Sequence, residues 1–80
     1  MPLAFVLVNV QIGSECEVLE ALKKVEGVEE AYVVYGVHDV IAKVKAETMD
    51  KLRETIAYKI RRLDKVQSTQ TMMVYEEAPP

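Results

Sequence analysis

The sequence predicts a small α+β protein with four strands and two helices in the order βαββαβ. Three observations point to it. Leu3–Gln11 and Val66–Tyr75, near the two ends of the chain, read as strands with large apolar residues at both parities. Two segments with helical apolar spacing each follow a capping signal. Between the helices, Val28–Tyr35 and Val40–Ala46 meet across the four residues Gly36–Asp39, the signature of an antiparallel hairpin.

Each element has its own local reason. Leu3–Gln11 is short and β-branched, with Phe5 and Leu7 on one face and Val6, Val8 and Val10 on the other. A strand wet on one side alternates, so this one is expected to be covered on both. Gly13 breaks it, and Ser14 with Glu17 has capping-box spacing. Val18, Leu19, Leu22 and Val25 form a helical stripe, Glu20 and Lys24 pair at i,i+4, and Gly27 stops the helix. Thr48 caps the second helix with Asp50 in its first turn, and Leu52, Ile56, Ile60 and Leu63 line its inner face. Glu76–Pro80 is expected to fray. Two βαβ halves joined by right-handed crossovers give a ferredoxin-like sandwich. Its sheet is antiparallel, of order 4-1-3-2, with both helices on one face.

Composition narrows the function. The 80 residues suit a single domain spanning 1–80. Ten basic against thirteen acidic residues, net charge −3, argue against direct nucleic-acid binding, which needs a concentrated positive field. The lone Phe5 also falls short of the aromatics of an RNA-binding sheet. One cysteine rules out an intrachain disulfide, and Cys16 with the single His38 offers no metal set. No apolar run nears the roughly 20 residues of a membrane span, and Met1–Phe5 lacks a signal peptide's basic region. The expectation is a cytoplasmic protein without cofactor. A chain this short holds a modest core, and oligomerisation is the remaining way to reinforce it.

Two polar groups stand out, and the topology brings them to one end of the sheet. In the turn, Gly36 supplies a positive φ while Asp39 either bonds the turn backbone or holds an ammonium group. Ser68, Thr69, Gln70 and Thr71 open an otherwise apolar strand, as an exposed edge or as ligand contacts. Asp39 and Thr69 should lie about 10 Å apart, two strand spacings. The first helix starts at the same end, where its amides favour a carboxylate. Cys16 is expected to be a small buried residue. Lys59, Arg61, Arg62 and Lys65 are expected to complement the second helix's dipole. Because the helices cover only one face, the greasy second face is expected to meet a second copy.

These residues resemble a known family. Gly27-Val28 and Ala31, then Gly36-Val37-His38-Asp39 followed by Val40-Ile41-Ala42, Leu52 and Ile56, and Val66 with Thr69-Gln70-Thr71, are similar to the effector-binding RAM domain of Lrp/AsnC transcriptional regulators. The resemblance spans residues 3 to 75. It implies a non-enzymatic module of amino-acid regulation that dimerises through its sheet and forms rings of four or five dimers, an octamer or decamer. Amino acids or similar small effectors would bind between dimers. The backbone at Gly36 and Val37, with His38 beside it, would line the pocket and Asp39 would take the α-amino group. Ser68, Thr69, Gln70 and Thr71 would add contacts from their own or a neighbouring subunit. Family members often carry Thr or Ser before the turn glycine, where this chain has Tyr35. The family's N-terminal helix-turn-helix has no counterpart before Leu3, which implies a stand-alone RAM protein, able to co-assemble with full-length regulators. A small ferredoxin-like enzyme or a purely structural subunit are the other readings. The enzyme would need a paired acid and base that the sequence does not present.

Overall fold

The computed structural model describes residues 1–75, so the expected frayed tail, Glu76–Pro80, lies outside the described residues. Strands β1 (Leu3–Val10), β2 (Val28–Val33), β3 (Val40–Lys45) and β4 (Val66–Met73) form one antiparallel sheet of order β2-β3-β1-β4, the expected 4-1-3-2. Helix α1 spans Glu15–Lys23; helix α2 spans Met49–Glu54 and continues as a π-helical segment, Thr55–Ile60.

The core follows from strand alternation. Ala4, Val6, Val8 and Val10 of β1 and Val40, Ala42 and Val44 of β3 turn one way and are buried beneath Val18, Leu22, Leu52, Ile56 and Ile60. Both helices therefore cover the same face. Leu3, Phe5 and Leu7 turn the other way, opposite Lys45, Lys43 and Ile41 on one side. On the other side of β1, Met72 and Gln70 stand opposite Phe5 and Leu7.

Several local expectations are corrected. Ser14 makes no side-chain cap bond, since its backbone (φ −104°, ψ 11°) is not the extended geometry a capping box uses; its amide bonds Gln11 O instead. Lys23 rather than Lys24 pairs with Glu20, at 3.4 Å. Cys16 is exposed, not buried, because the inward positions of α1 belong to Val18 and Leu22. β2 ends at Val33, two residues before Tyr35. One further backbone bond in the same register, from the Val34 amide to Asp39 O, closes the pair, and the Asp39 amide bonds Val8 O. The predicted second helix is not α-helical throughout: the Arg61 amide reaches back five residues to Ile56 O at 3.0 Å. Leu52, Ile56 and Ile60, spaced four apart, still form one buried stripe along this run.

Thr48 does cap α2, its hydroxyl accepting from the Lys51 amide at 3.1 Å. Gly27 is required twice. Its φ is +101°, and a Cβ there would stand 3.1 Å from Lys45 O.

Candidate functional site

At one end of the sheet, Gln11–Gly13 after β1 and Val34–Asp39 between β2 and β3 come together with the start of β4. The junction is tied by backbone. The β1–β4 register shifts between Asn9 and Val10, leaving Gln67 of β4 as the extra residue, and the Gln11 amide bonds Lys65 O at 2.9 Å, just before β4. Pairing of β1 with β3 ends at Val8 and Val40, and just beyond it the Asp39 carboxylate takes the Val10 amide: Val10 N donates to Asp39 Oδ2 at 3.0 Å. Asp39 is thus fixed by its own amide bonding Val8 O and by its carboxylate bonding Val10. One carboxylate oxygen is engaged there, and the second retains acceptor capacity for a cation.

On the open face of this end runs a row of polar side chains across β1, β4 and the Val34–Asp39 loop. The Asn9 amide nitrogen donates to Ser68 Oγ at 3.1 Å, and Asn9 Oδ1 lies 3.3 Å from His38 Nδ1. Gln70 follows Ser68 on that face, opposite Leu7. Asn9 was not among the residues singled out by the sequence reading. It is the one strongly polar side chain within the apolar run Leu3–Val10, and that interruption was the available signal.

The structure divides the expected cluster. Gly36, Val37, His38 and Asp39 share one loop, with Ser68 and Gln70 on the open face nearby. Thr69 and Thr71 stand opposite Val8 and Val6, so their side chains lie on the helix face, away from the loop. As backbone positions, Val40 and Thr69 do flank Val8 from either side, which keeps the turn and β4 two strands apart. The N-terminus of α1 lies here too, but the chain supplies its own carboxylates in Glu15 and Glu17, the latter 3.9 Å from Lys65 Nζ.

The loop tips are apolar and bare. Ile12, Tyr35 and Val37 are 103%, 104% and 88% exposed. Gly36 sits at φ +143° with nothing within 4 Å of where a Cβ would be. The principal cavities of the described residues lie elsewhere, along α2 and the sheet edges. Within a single chain the site is therefore a ledge rather than a pocket. Among the described residues, no group of three or more His, Cys, Asp or Glu could hold a metal, and no helix is long and apolar enough to cross a membrane.

The sequence matches the family of Lrp/AsnC ligand binding domains over residues 3–79. It is 33% identical over 58 residues to regulatory protein AsnC of Escherichia coli K12, covering 72% of this chain and 38% of that protein; it thus spans under half the length of such relatives. The crystal structure of FFRP-DM1 superposes with a TM-score of 0.88 at 43% identity, covering 92% of this chain and 99% of that one. A Thermus thermophilus protein gives a TM-score of 0.93 at 28% identity over the whole of both chains. The same fold recurs in a Neisseria meningitidis regulator and a Mycobacterium tuberculosis feast-or-famine protein, at 17% and 21% identity, both solved with L-methionine.

Proposed function

The chain belongs to the Lrp/AsnC ligand binding domain family, whose role is regulatory and not catalytic, and on that footing we propose that it holds an amino acid at the Gly36–Asp39 loop, between copies of itself. The observation that carries the reading is the coincidence of two features at one end of the sheet. The Asp39 carboxylate is held in place with acceptor capacity to spare, and around it three large apolar loop residues stand almost wholly exposed. Exposed apolar tips of this size call for a covering surface. A neighbouring copy would supply it and close the ledge into a pocket. Asp39 would take the α-amino group, the open backbone at Gly36 and Val37 would meet the carboxylate, and His38, Ser68 and Gln70 would face the side chain. Thr69 and Thr71 point to the other face and are left out of this pocket. The L-methionine held by two regulators of the same fold supports an amino acid as the ligand class.

The open sheet face supports assembly independently. Phe5, Leu7 and Ile41 are half-buried, and Tyr32 and Met72 are 55% and 48% exposed, a greasy patch suited to a two-fold partner. The pairs so formed would meet through the loop ends as rings of four or five dimers. Acting from the cytoplasm, the assembly would influence transcription by joining full-length regulators of its family.

Titration calorimetry of the intact assembly against the twenty amino acids tests this. We expect saturable binding of one or a few. Asp39→Asn, which keeps an oxygen for the Val10 amide and removes the charge, should weaken it at least tenfold with little change in Tm. No binding by any amino acid to an intact assembly would contradict the reading and leave a purely structural subunit.

A further inference from the structure

At the end of the sheet opposite the Gly36–Asp39 loop, where β1 begins and β3 ends, three stretches of chain enclose a cleft of about 380 Å³. Glu26 and Gly27 come from the link between α1 and β2, Glu47 follows β3, and Lys51, Thr55 and Lys59 come from the helical run. The volume lies within the range of small-molecule sites, about 300–1,000 Å³.

Thr55 singles the cleft out. It is 7% exposed, and a polar side chain so buried ordinarily has a hydrogen-bond partner. Among the described residues its hydroxyl takes part in no side-chain hydrogen bond, and yet it is not sealed from solvent. The little surface that Thr55 retains therefore includes that oxygen. Its methyl packs toward Gly27, 3.7 Å from where a Cβ would stand there, which leaves the hydroxyl to face the cleft. Two ammonium groups flank it. Lys51 and Lys59 stand four residues before and after Thr55, about 6 Å either way along the axis, a span that lysine's flexible four-carbon stem covers. Neither forms an ion pair among the described residues, whereas Lys45, on the same cleft, is held 3.9 Å from Glu29.

We propose that this cleft binds the phosphate monoester of a small sugar. Lys51 and Lys59 from either side, with the Thr55 hydroxyl between them, supply three separate donors. That set suits a phosphoryl group with three terminal oxygens better than a planar carboxylate with two. Glu26 and Glu47 line the same cleft. Their carboxylates accept hydrogen bonds from hydroxyl groups and repel further negative charge. The rest of the ligand is therefore a neutral polyol and not a second phosphate. Nothing in the site draws on Asp39, so it stands apart from the amino-acid ledge at the other end of the sheet.

The test is calorimetry on the full chain at low salt with ribose 5-phosphate, ribose and inorganic phosphate. We expect saturable binding of ribose 5-phosphate, at least fivefold weaker binding of inorganic phosphate, and none of ribose. Lys51→Gln and Lys59→Gln, both on exposed positions, should each weaken ribose 5-phosphate at least fivefold. Thr55→Val, which exchanges the hydroxyl for a methyl, should do the same, and the lysine variants carry the test if that chain does not fold. Glu26→Gln combined with Glu47→Gln should narrow the preference over inorganic phosphate. The proposal is overturned by no binding of ribose 5-phosphate at millimolar concentration, by equal binding of ribose or of inorganic phosphate, or by unchanged affinity in both lysine variants. Equal weakening by Lys23→Gln, an exposed lysine on α1 outside the cleft, would mark a general charge effect and overturn it as well.

Discussion

Lys65 shows how a single position can be read for stability. It is the one non-glycine residue described with positive φ, at 74°, and it turns the chain into β4 while its carbonyl accepts from Gln11. Left-handed backbone costs an L-residue about 1–2 kcal/mol. Glycine would relieve that, offset by about 0.5–1 kcal/mol of extra chain entropy in the unfolded state. The long exposed contact with Glu17 adds little. Lys65→Gly should therefore raise stability by roughly 0.5 kcal/mol and Lys65→Val lower it by more than about 1 kcal/mol, read by urea unfolding. At the β2 edge, the Tyr32 hydroxyl donates to Glu30 Oε1 at 2.7 Å. That bond first, and Lys43 second, hold the Glu30 carboxyl below its ordinary range, while the same bond pushes the Tyr32 phenol up. The Glu30 contribution is present above the ordinary carboxylate range and is lost as pH falls through its lowered pKa. The Tyr32 contribution is present below the ordinary phenol range and is lost as pH rises through its raised pKa. Tyr32→Phe should shift the Glu30 carboxyl titration, followed by NMR, back toward its ordinary value; an unmoved titration would show that Lys43 alone sets it.

Among the elements, the two helix starts carry the same kind of sequence signal and only one behaves as read. Thr48 has extended backbone and caps, whereas Ser14 is drawn into a turn by Gln11 O. Thr48→Ala should cost about 1 kcal/mol. Ser14→Ala should cost under about 0.5 kcal/mol, since no cap bond is lost; thermal melts of the two variants distinguish them. Strands and crossovers were legible because they rest on periodicity and chain direction, which the residues state outright. The π-helical turn was not, since spacings of four at Leu52, Ile56 and Ile60 suit either winding until the sheet beneath selects one. The candidate loop was legible through Gly36 and Asp39. The division of Ser68–Thr71 between two faces is a matter of register, and the register shifts at Gln67 of β4, opposite Asn9–Val10, which no residue type announced.

For the whole molecule, everything turns on surfaces that one copy leaves bare. The core beneath the helices is complete, with Leu22, Leu52 and Ile60 fully buried. The opposite face and the loop end present Phe5, Leu7, Met72, Ile12, Tyr35 and Val37 to solvent or half to it. Leu7→Glu would place a charge in the middle of that face and should leave the chain folded while separating the copies, with helical and sheet content by circular dichroism unchanged. The most direct measurement is sedimentation velocity on the unaltered chain at micromolar concentration. The account predicts species at multiples of two of the 9.0 kDa chain, while a single 9.0 kDa species throughout would contradict it and remove the shared amino-acid pocket as well.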